Sequence, residues 1–149
     1  MVVMYIKTFG GFSIEKNYTD FTKNKIEIFI YSVIKRNYIN VENLINNVWF
    51  ENDNKPLKKD IAVYFSKINK KLKNYSVRLR IRNVRVILEG KLDIDTELFE
   101  SIANKFFETN DLNLLDEILK IYKGPFLLET DSLWAESYRK YYEEIFLKY

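Results

Sequence analysis

Apolar residues recur along this chain with two periods. Some stretches repeat every second residue, the mark of a strand, and others every third or fourth, the mark of a helix. Tyr5-Ile6-Lys7-Thr8-Phe9 and Phe12-Ser13-Ile14-Glu15 flank Gly10-Gly11, a tight-turn signal, so two short strands are expected there, with a third near residues 18–21. Over residues 25–36, Ile26, Phe29, Ile30, Val33 and Ile34 follow the i, i+3, i+4, i+7 pattern of a helix, and Asn37 is its expected stop. A second helix is expected after Asn40, a good N-cap, with Val41, Leu44, Ile45, Val48 and Trp49 on one face. Glu51-Asn52-Asp53-Asn54-Lys55-Pro56 has no period and contains a proline, so it reads as a loop.

A third helix is expected over residues 57–74. Ile61, Phe65, Ile68 and Leu72 lie within about 60° of each other at 100° per residue and form its buried stripe. The opposite side carries Lys59, Val63, Ser66, Lys67 and Lys70. Val77-Arg78-Leu79-Arg80-Ile81-Arg82 then alternates, apolar on one face and Arg on the other, and Val84, Val86 and Leu88 alternate after it. This is a β-hairpin turning at Arg82-Asn83-Val84, where Asn tolerates the left-handed conformation that such a turn needs.

Residues 90–93 read as a domain boundary, which gives a domain over 1–90 and a helical one over 91–149. In the second, residues 96–108 turn Leu98, Phe99, Ile102, Ala103, Phe106 and Phe107 inward. Residues 111–123 do the same with Leu112, Leu115, Ile118, Leu119 and Tyr122, and Gly124-Pro125 stops that helix. The last helix starts near Ser132. Trp134, Tyr138, Tyr141, Ile145 and Tyr149 form its stripe, widened by Ala135, Tyr142 and Phe146. So wide a stripe has two readings. Either the helices before it cover it, or Tyr138, Tyr142, Ile145, Phe146 and Tyr149 form a homodimer or partner surface.

Composition narrows the chemistry. The 149 residues include no Cys and no His, which removes disulfides, thiolate nucleophiles, Fe–S clusters, zinc ribbons and the Ser-His-Asp triad. The four glycines form no phosphate-cradling pattern. No apolar run of transmembrane length exists, and the N-terminus lacks a basic region and cleavage site of a signal peptide, so a cytoplasmic location is expected.

Charge changes the picture further. The net charge is only +3, but residues 1–90 hold 17 Lys+Arg against 8 Asp+Glu, and residues 91–149 hold 7 against 13. The halves therefore carry +9 and −6. Residues 55–85 alone hold eleven basic side chains and one acid, Asp60, a concentration that points to nucleic acid more than to a merely solvated surface.

Strands, three helices and a basic hairpin occur in the order of a winged helix-turn-helix. The expected fold is α+β: a small N-terminal antiparallel sheet, a winged helix-turn-helix with its hairpin wing, then a small all-α domain. The third helix would lie in the major groove and the wing at the flanking backbone or minor groove. The chain also resembles the bacterial SARP-type transcriptional activators. The resemblance rests on Tyr5-Ile6-Lys7-Thr8-Phe9-Gly10-Gly11-Phe12-Ser13-Ile14, Val41-Glu42-Asn43-Leu44-Ile45-Asn46-Asn47-Val48-Trp49 and Ile61-Ala62-Val63-Tyr64-Phe65-Ser66-Lys67-Ile68-Asn69-Lys70-Lys71-Leu72. In the second half it rests on Ile94-Asp95-Thr96-Glu97-Leu98-Phe99, Tyr122-Lys123-Gly124-Pro125-Phe126-Leu127 and Trp134-Ala135-Glu136-Ser137-Tyr138-Arg139. It implies an OmpR-type winged helix followed by a short, tetratricopeptide-like bacterial transcriptional activator domain. It also implies DNA binding by the third helix and a loop after Trp49 that faces RNA polymerase. The chain departs from the family at the wing, where Arg85-Val86-Ile87-Leu88 stands in place of a Gly-Tyr-Arg-Leu run.

The expected DNA-binding residues are Lys58, Lys59, Val63, Ser66, Lys67, Lys70, Lys71, Arg80, Arg82 and Arg85. Lys can reach guanine O6/N7, Ser several bases and Val a thymine methyl, while Arg82 is placed to enter a minor groove. Asp93-Ile94-Asp95-Thr96-Glu97 looks like a metal-binding run, but helix capping by Asp95, with Glu97 in the first turn, explains it more simply. No catalytic residue, metal or cofactor is expected. The reading is a regulator of transcription that binds duplex DNA. The rival is an adaptor whose basic face meets an acidic protein, and a nuclease lacks the clustered carboxylates it would need.

Overall fold

The computed structural model describes residues 3–15, 21–36, 38–50 and 54–148. In chain order the elements are β1 (Met4–Lys7), β2 (Ser13–Ile14), α1 (Lys23–Lys35), α2 (Val41–Val48), α3 (Lys58–Leu72), β3 (Arg78–Arg82), β4 (Arg85–Glu89), β5 (Leu92–Ile94), α4 (Asp95–Thr109), α5 (Asn113–Ile121) and α6 (Leu133–Leu147). The protein is therefore mixed α and β. It divides into two units, one of Met1–Val3 with Asp20–Lys91 and one of Met4–Thr19 with Leu92–Tyr149.

In the first unit α1 is the central helix. Ile26, Ile28, Phe29, Ile30, Tyr31 and Val33 bury it on nearly every side, and the Ser32 hydroxyl donates to the Ile28 carbonyl at 2.7 Å. Its expected stop, Asn37, lies outside the described residues, as do 18–20 of the expected third strand, and Phe21 is buried but not in a strand. α2 begins as expected at Asn40. The Asn43 amide donates to Asn40 Oδ1 at 2.8 Å, and the Asn40 amide donates to Asn43 Oδ1 at 3.2 Å, a reciprocal cap. α3 buries the expected stripe of Ile61, Phe65, Ile68 and Leu72, then tightens into a 3-10 turn over Lys73–Tyr75.

The β3–β4 hairpin pairs Leu79 with Leu88 and Ile81 with Val86 on its inner face, and Arg80 with Ile87 and Arg82 with Arg85 on its outer face. Asn83 takes the left-handed position at the turn, with φ +58°. At the hairpin's base Gly90 has φ +102°, and a Cβ there would run into the Ser76 carbonyl, so the chain closes only over glycine. A third partner was not legible in the sequence. The Val41 amide donates to the Val84 carbonyl at 2.8 Å, and the Val86 amide donates to the Ile39 carbonyl at 3.2 Å. The segment before α2 thus adds a short rung to the outer edge of β4.

The second unit corrects the expected organisation. β1 pairs antiparallel with β2 and parallel with β5, matching Met4 to Leu92 and Ile6 to Ile94, so the sheet order is β2-β1-β5. The N-terminal strands therefore belong with residues 92–149 rather than with residues 20–91, and the second unit is not all-α. Residues 92–94 are a strand, not part of a linker. Asp95 is not the helix cap, a position that Ile94 takes. Its buried carboxylate instead accepts from the Thr8 amide (2.8 Å), the Thr8 hydroxyl (2.6 Å) and the Phe9 amide (2.9 Å). Gly10 and Gly11, at φ +82° and +123°, then carry the chain towards β2.

That grip delivers Phe9 into the core, where its ring lies 5.2 Å from Phe99, 4.9 Å from Tyr122 and 5.4 Å from Tyr142. Arg139 fixes the loop before α6 by donating to the carbonyls of Phe126 (2.8 Å), Leu127 (2.7 Å) and Thr130 (2.5 Å). The Phe12 amide donates to the Glu129 carboxylate at 2.7 Å. The expected inward faces are only partly right. Leu98, Phe107, Leu112 and Leu119 are exposed.

Burial pushes the Asp95 carboxyl above the usual carboxylate range, against the opposing pull of the Phe9 and Thr8 hydrogen bonds. The folded chain holds this proton to higher pH than the unfolded chain. Its contribution to stability is full below the ordinary carboxylate pKa and declines as pH rises through the raised value. Asp95→Ala strands buried donors and is expected to cost about 3 kcal/mol. Asp95→Asn keeps an acceptor for the amides, should cost less, and should lessen the decline; urea melts across the mildly acid range read both. Residues 91–149 produced alone lack β1 and Phe9, and circular dichroism is expected to show no cooperative thermal transition.

Candidate nucleic-acid interface

The residues expected to meet DNA all fall in the first unit. This unit holds 16 Lys+Arg against 7 Asp+Glu, a net of +9, and the second holds 8 against 14, a net of −6. On α3, Lys58, Lys59, Val63, Ser66, Lys67, Lys70 and Lys71 are all exposed. Lys59, Val63, Ser66 and Lys70 lie opposite the buried stripe, with Lys67 beside them. Val63 leaves 53% of its surface in water, an apolar side chain displayed amid cations. Lys58 and Lys71 sit at the margins. The Lys71 ammonium lies 5.9 Å from the centre of the Phe21 ring, which draws it off the shared face.

On the hairpin, Arg78, Arg80, Arg82 and Arg85 are exposed on the outer face. Arg80 donates to Glu89 at 2.9 Å, with 55% and 41% of the two side chains in solvent, so the pair adds little stability. Arg82 and Arg85 stand directly opposite each other at the tip. Two cations thus share the end of the wing-like hairpin.

Asn69 joins the two elements and was missed. Its side-chain amide donates to the Leu79 carbonyl at 2.9 Å, and its oxygen accepts from the Leu79 amide at 2.7 Å. One helix side chain thus occupies the edge of β3 as a neighbouring strand would, and it sets the spacing between α3 and the hairpin. The available signal was a weak one: Asn favours caps and turns, yet it stands inside a helix, flanking the buried stripe.

Of the expected partner surface on α6, one residue is interior. Tyr142 is 2% exposed against Phe9, Phe99 and Phe126, and burial pushes its hydroxyl above the ordinary tyrosine range. Tyr138, Ile145 and Phe146 are half-buried, with Phe146 stacked 4.3 Å from Tyr122. Tyr149 lies outside the described residues. The helix turns its Ala135–Tyr142 side inward, and the large apolar side chains it exposes are Leu133, Tyr141 and Leu147. Tyr141 donates to Glu100 at 3.3 Å, and burial raises that carboxyl.

Among the described residues no group of three or more acidic side chains is gathered as a metal site would need, and no helix is long and apolar enough to cross a membrane. No protein-family model matches the chain, and no curated protein matches it.

Asn69→Ala removes two hydrogen bonds and is expected to cost about 2 kcal/mol. Amide exchange at Leu79 should accelerate while the reciprocal cap of α2 stays protected; unchanged exchange at Leu79 would show that the contact does not hold the strand.

Proposed function

We propose that the first unit is a winged helix that binds duplex DNA as a sequence-specific regulator of transcription, an activator of the SARP type. α3 is its recognition helix in the major groove, and the β3–β4 hairpin is its wing at the flanking minor groove and backbone. One observation carries this reading. An exposed, basic helix face and an exposed Arg face lie on a single unit of net charge +9, held together by the Asn69 clamp. The rung from residues 39–41 to β4 supports the winged-helix assignment, because it adds a third segment to the hairpin on the side away from α3.

The residues divide by task. Lys59, Val63, Ser66, Lys67 and Lys70 face the base edges, Lys58 and Lys71 the phosphates at either margin, and Arg80, Arg82 and Arg85 the flank. The second unit, acidic and built around Phe9, supports dimerisation or partner binding, and RNA polymerase is met by the loop after Trp49 in the first unit. The protein works in the cytoplasm, without catalysis or cofactor.

A salt titration on random-sequence duplex, followed by selection of enriched sites, tests this. With about five phosphates neutralised, log affinity falls against log salt with a slope near −4.5. Weak binding with no enriched motif would shift the function to an adaptor for an acidic protein. Lys67→Ala and Lys70→Ala are each expected to weaken binding to the selected site by about 1–3 kcal/mol. Arg82→Ala should weaken it most on AT-rich flanks, and loss independent of flank sequence would count against minor-groove entry.

A further inference from the structure

Between α3 and β3 runs an open groove of about 720 Å³, lined on the helix side by Ser66 and Lys70 and on the strand side by Arg78 and Arg80. Lys73 and Ser76, from the turn that joins the two elements, line it as well. Ala62 and Ile81 give it an accessible apolar lining, and no acidic residue lines it. Arg80 is shared with Glu89, whereas Lys70, Lys73 and Arg78 make no ion pair among the described residues. Asn69 also lines the groove, and its hold on Leu79 fixes the width.

We infer that this groove is a backbone track, which seats the sugar–phosphate chain of one DNA strand where it passes from the segment met by α3 to the segment met by the hairpin. The inference rests on the DNA-binding reading above and adds Lys73, Ser76 and Arg78 to the interface. Three features select this occupant. Cations on both walls suit a ligand with charges spaced along its length, not a single ion. Hydroxyls at Ser66 and Ser76 are phosphate donors, and the apolar lining suits deoxyribose carbons. Ser66 and Lys70 belong both to the groove and to the exposed face of α3, so a duplex on that face brings a strand to the groove.

The test uses the full chain with Lys73→Ala and Arg78→Ala combined. Both side chains are exposed, so thermal unfolding should be unchanged. On random-sequence duplex the salt slope should become shallower by about 1.8, since each phosphate contact contributes about 0.9. A control with Lys105→Ala and Lys120→Ala on the acidic unit, which removes equal charge, should keep the wild-type slope. Duplexes with single neutral methylphosphonates should weaken the wild type at a position beside the selected motif, and the double variant should lose nothing further there. An unchanged slope in the double variant, with wild-type binding intact, overturns the track and leaves DNA binding standing. No wild-type binding to duplex overturns both. Tight binding of polyglutamate that the double variant loses, with none to duplex, replaces DNA with an acidic protein.

Discussion

The carboxylate of Asp95 is bound by donors from Thr8 and Phe9, on the other side of the chain's basic half. Much of the second unit depends on this contact. It stands where β5 passes into α4, so the same few residues pair in register with β1 and anchor the turn after it. The turn places Phe9 among Phe99, Tyr122 and Tyr142, and so adds a ring from the N-terminal segment to the aromatic core of the helices. Burying an ionisable group is costly, and here three hydrogen bonds offset that cost. Two distant pieces of chain are thereby committed to one unit, with the basic segment between them forming a unit of its own.

The consequence is electrostatic. Closing the second unit around residues 4–15 moves few charges, so the basic unit keeps its +9 and the acidic unit its −6. Self-repulsion on the first unit lowers its stability. On the proposed reading, phosphates relieve it, so part of what destabilises the free protein becomes affinity in the complex.

Local pattern made α1, α2, α3 and the hairpin legible, because each announces itself within a dozen residues by period, cap or turn chemistry. The stripe Ile61, Phe65, Ile68 and Leu72 and the turn at Asn83 are direct readings of such pattern. What escaped was set by partners far off in sequence. Leu92-Asp93-Ile94 is too short to show a period, and its role appears only once β1 lies beside it. Asp95 has the chemistry of a cap, and its neighbourhood in sequence favours that reading, yet a carboxylate at a helix start can turn either to its own backbone or to another segment. The stripe on α6 is wide enough that two faces qualify, and the choice of Ala135 and Tyr142 as the inner one was made by Phe9 and Phe126. Exposure was easier to foresee in the basic unit, because exposure of Lys and Arg follows from charge, whereas the inward or outward turn of Tyr does not.

Asn69 stands apart from these cases. Helix and hairpin could pack by apolar contact alone, through Phe65 and Leu79, but such packing tolerates sliding because one methyl group substitutes for another. Two directional hydrogen bonds to a single strand residue do not tolerate it. A strand edge needs both its amide and its carbonyl satisfied, and one primary amide offers both a donor and an acceptor. The helix is thereby indexed to the hairpin at one position. On the proposed reading, a surface that meets the helical repeat of DNA at two places needs its two parts at fixed separation more than it needs added stability. That requirement gives a polar residue inside α3 a physical reason to be there.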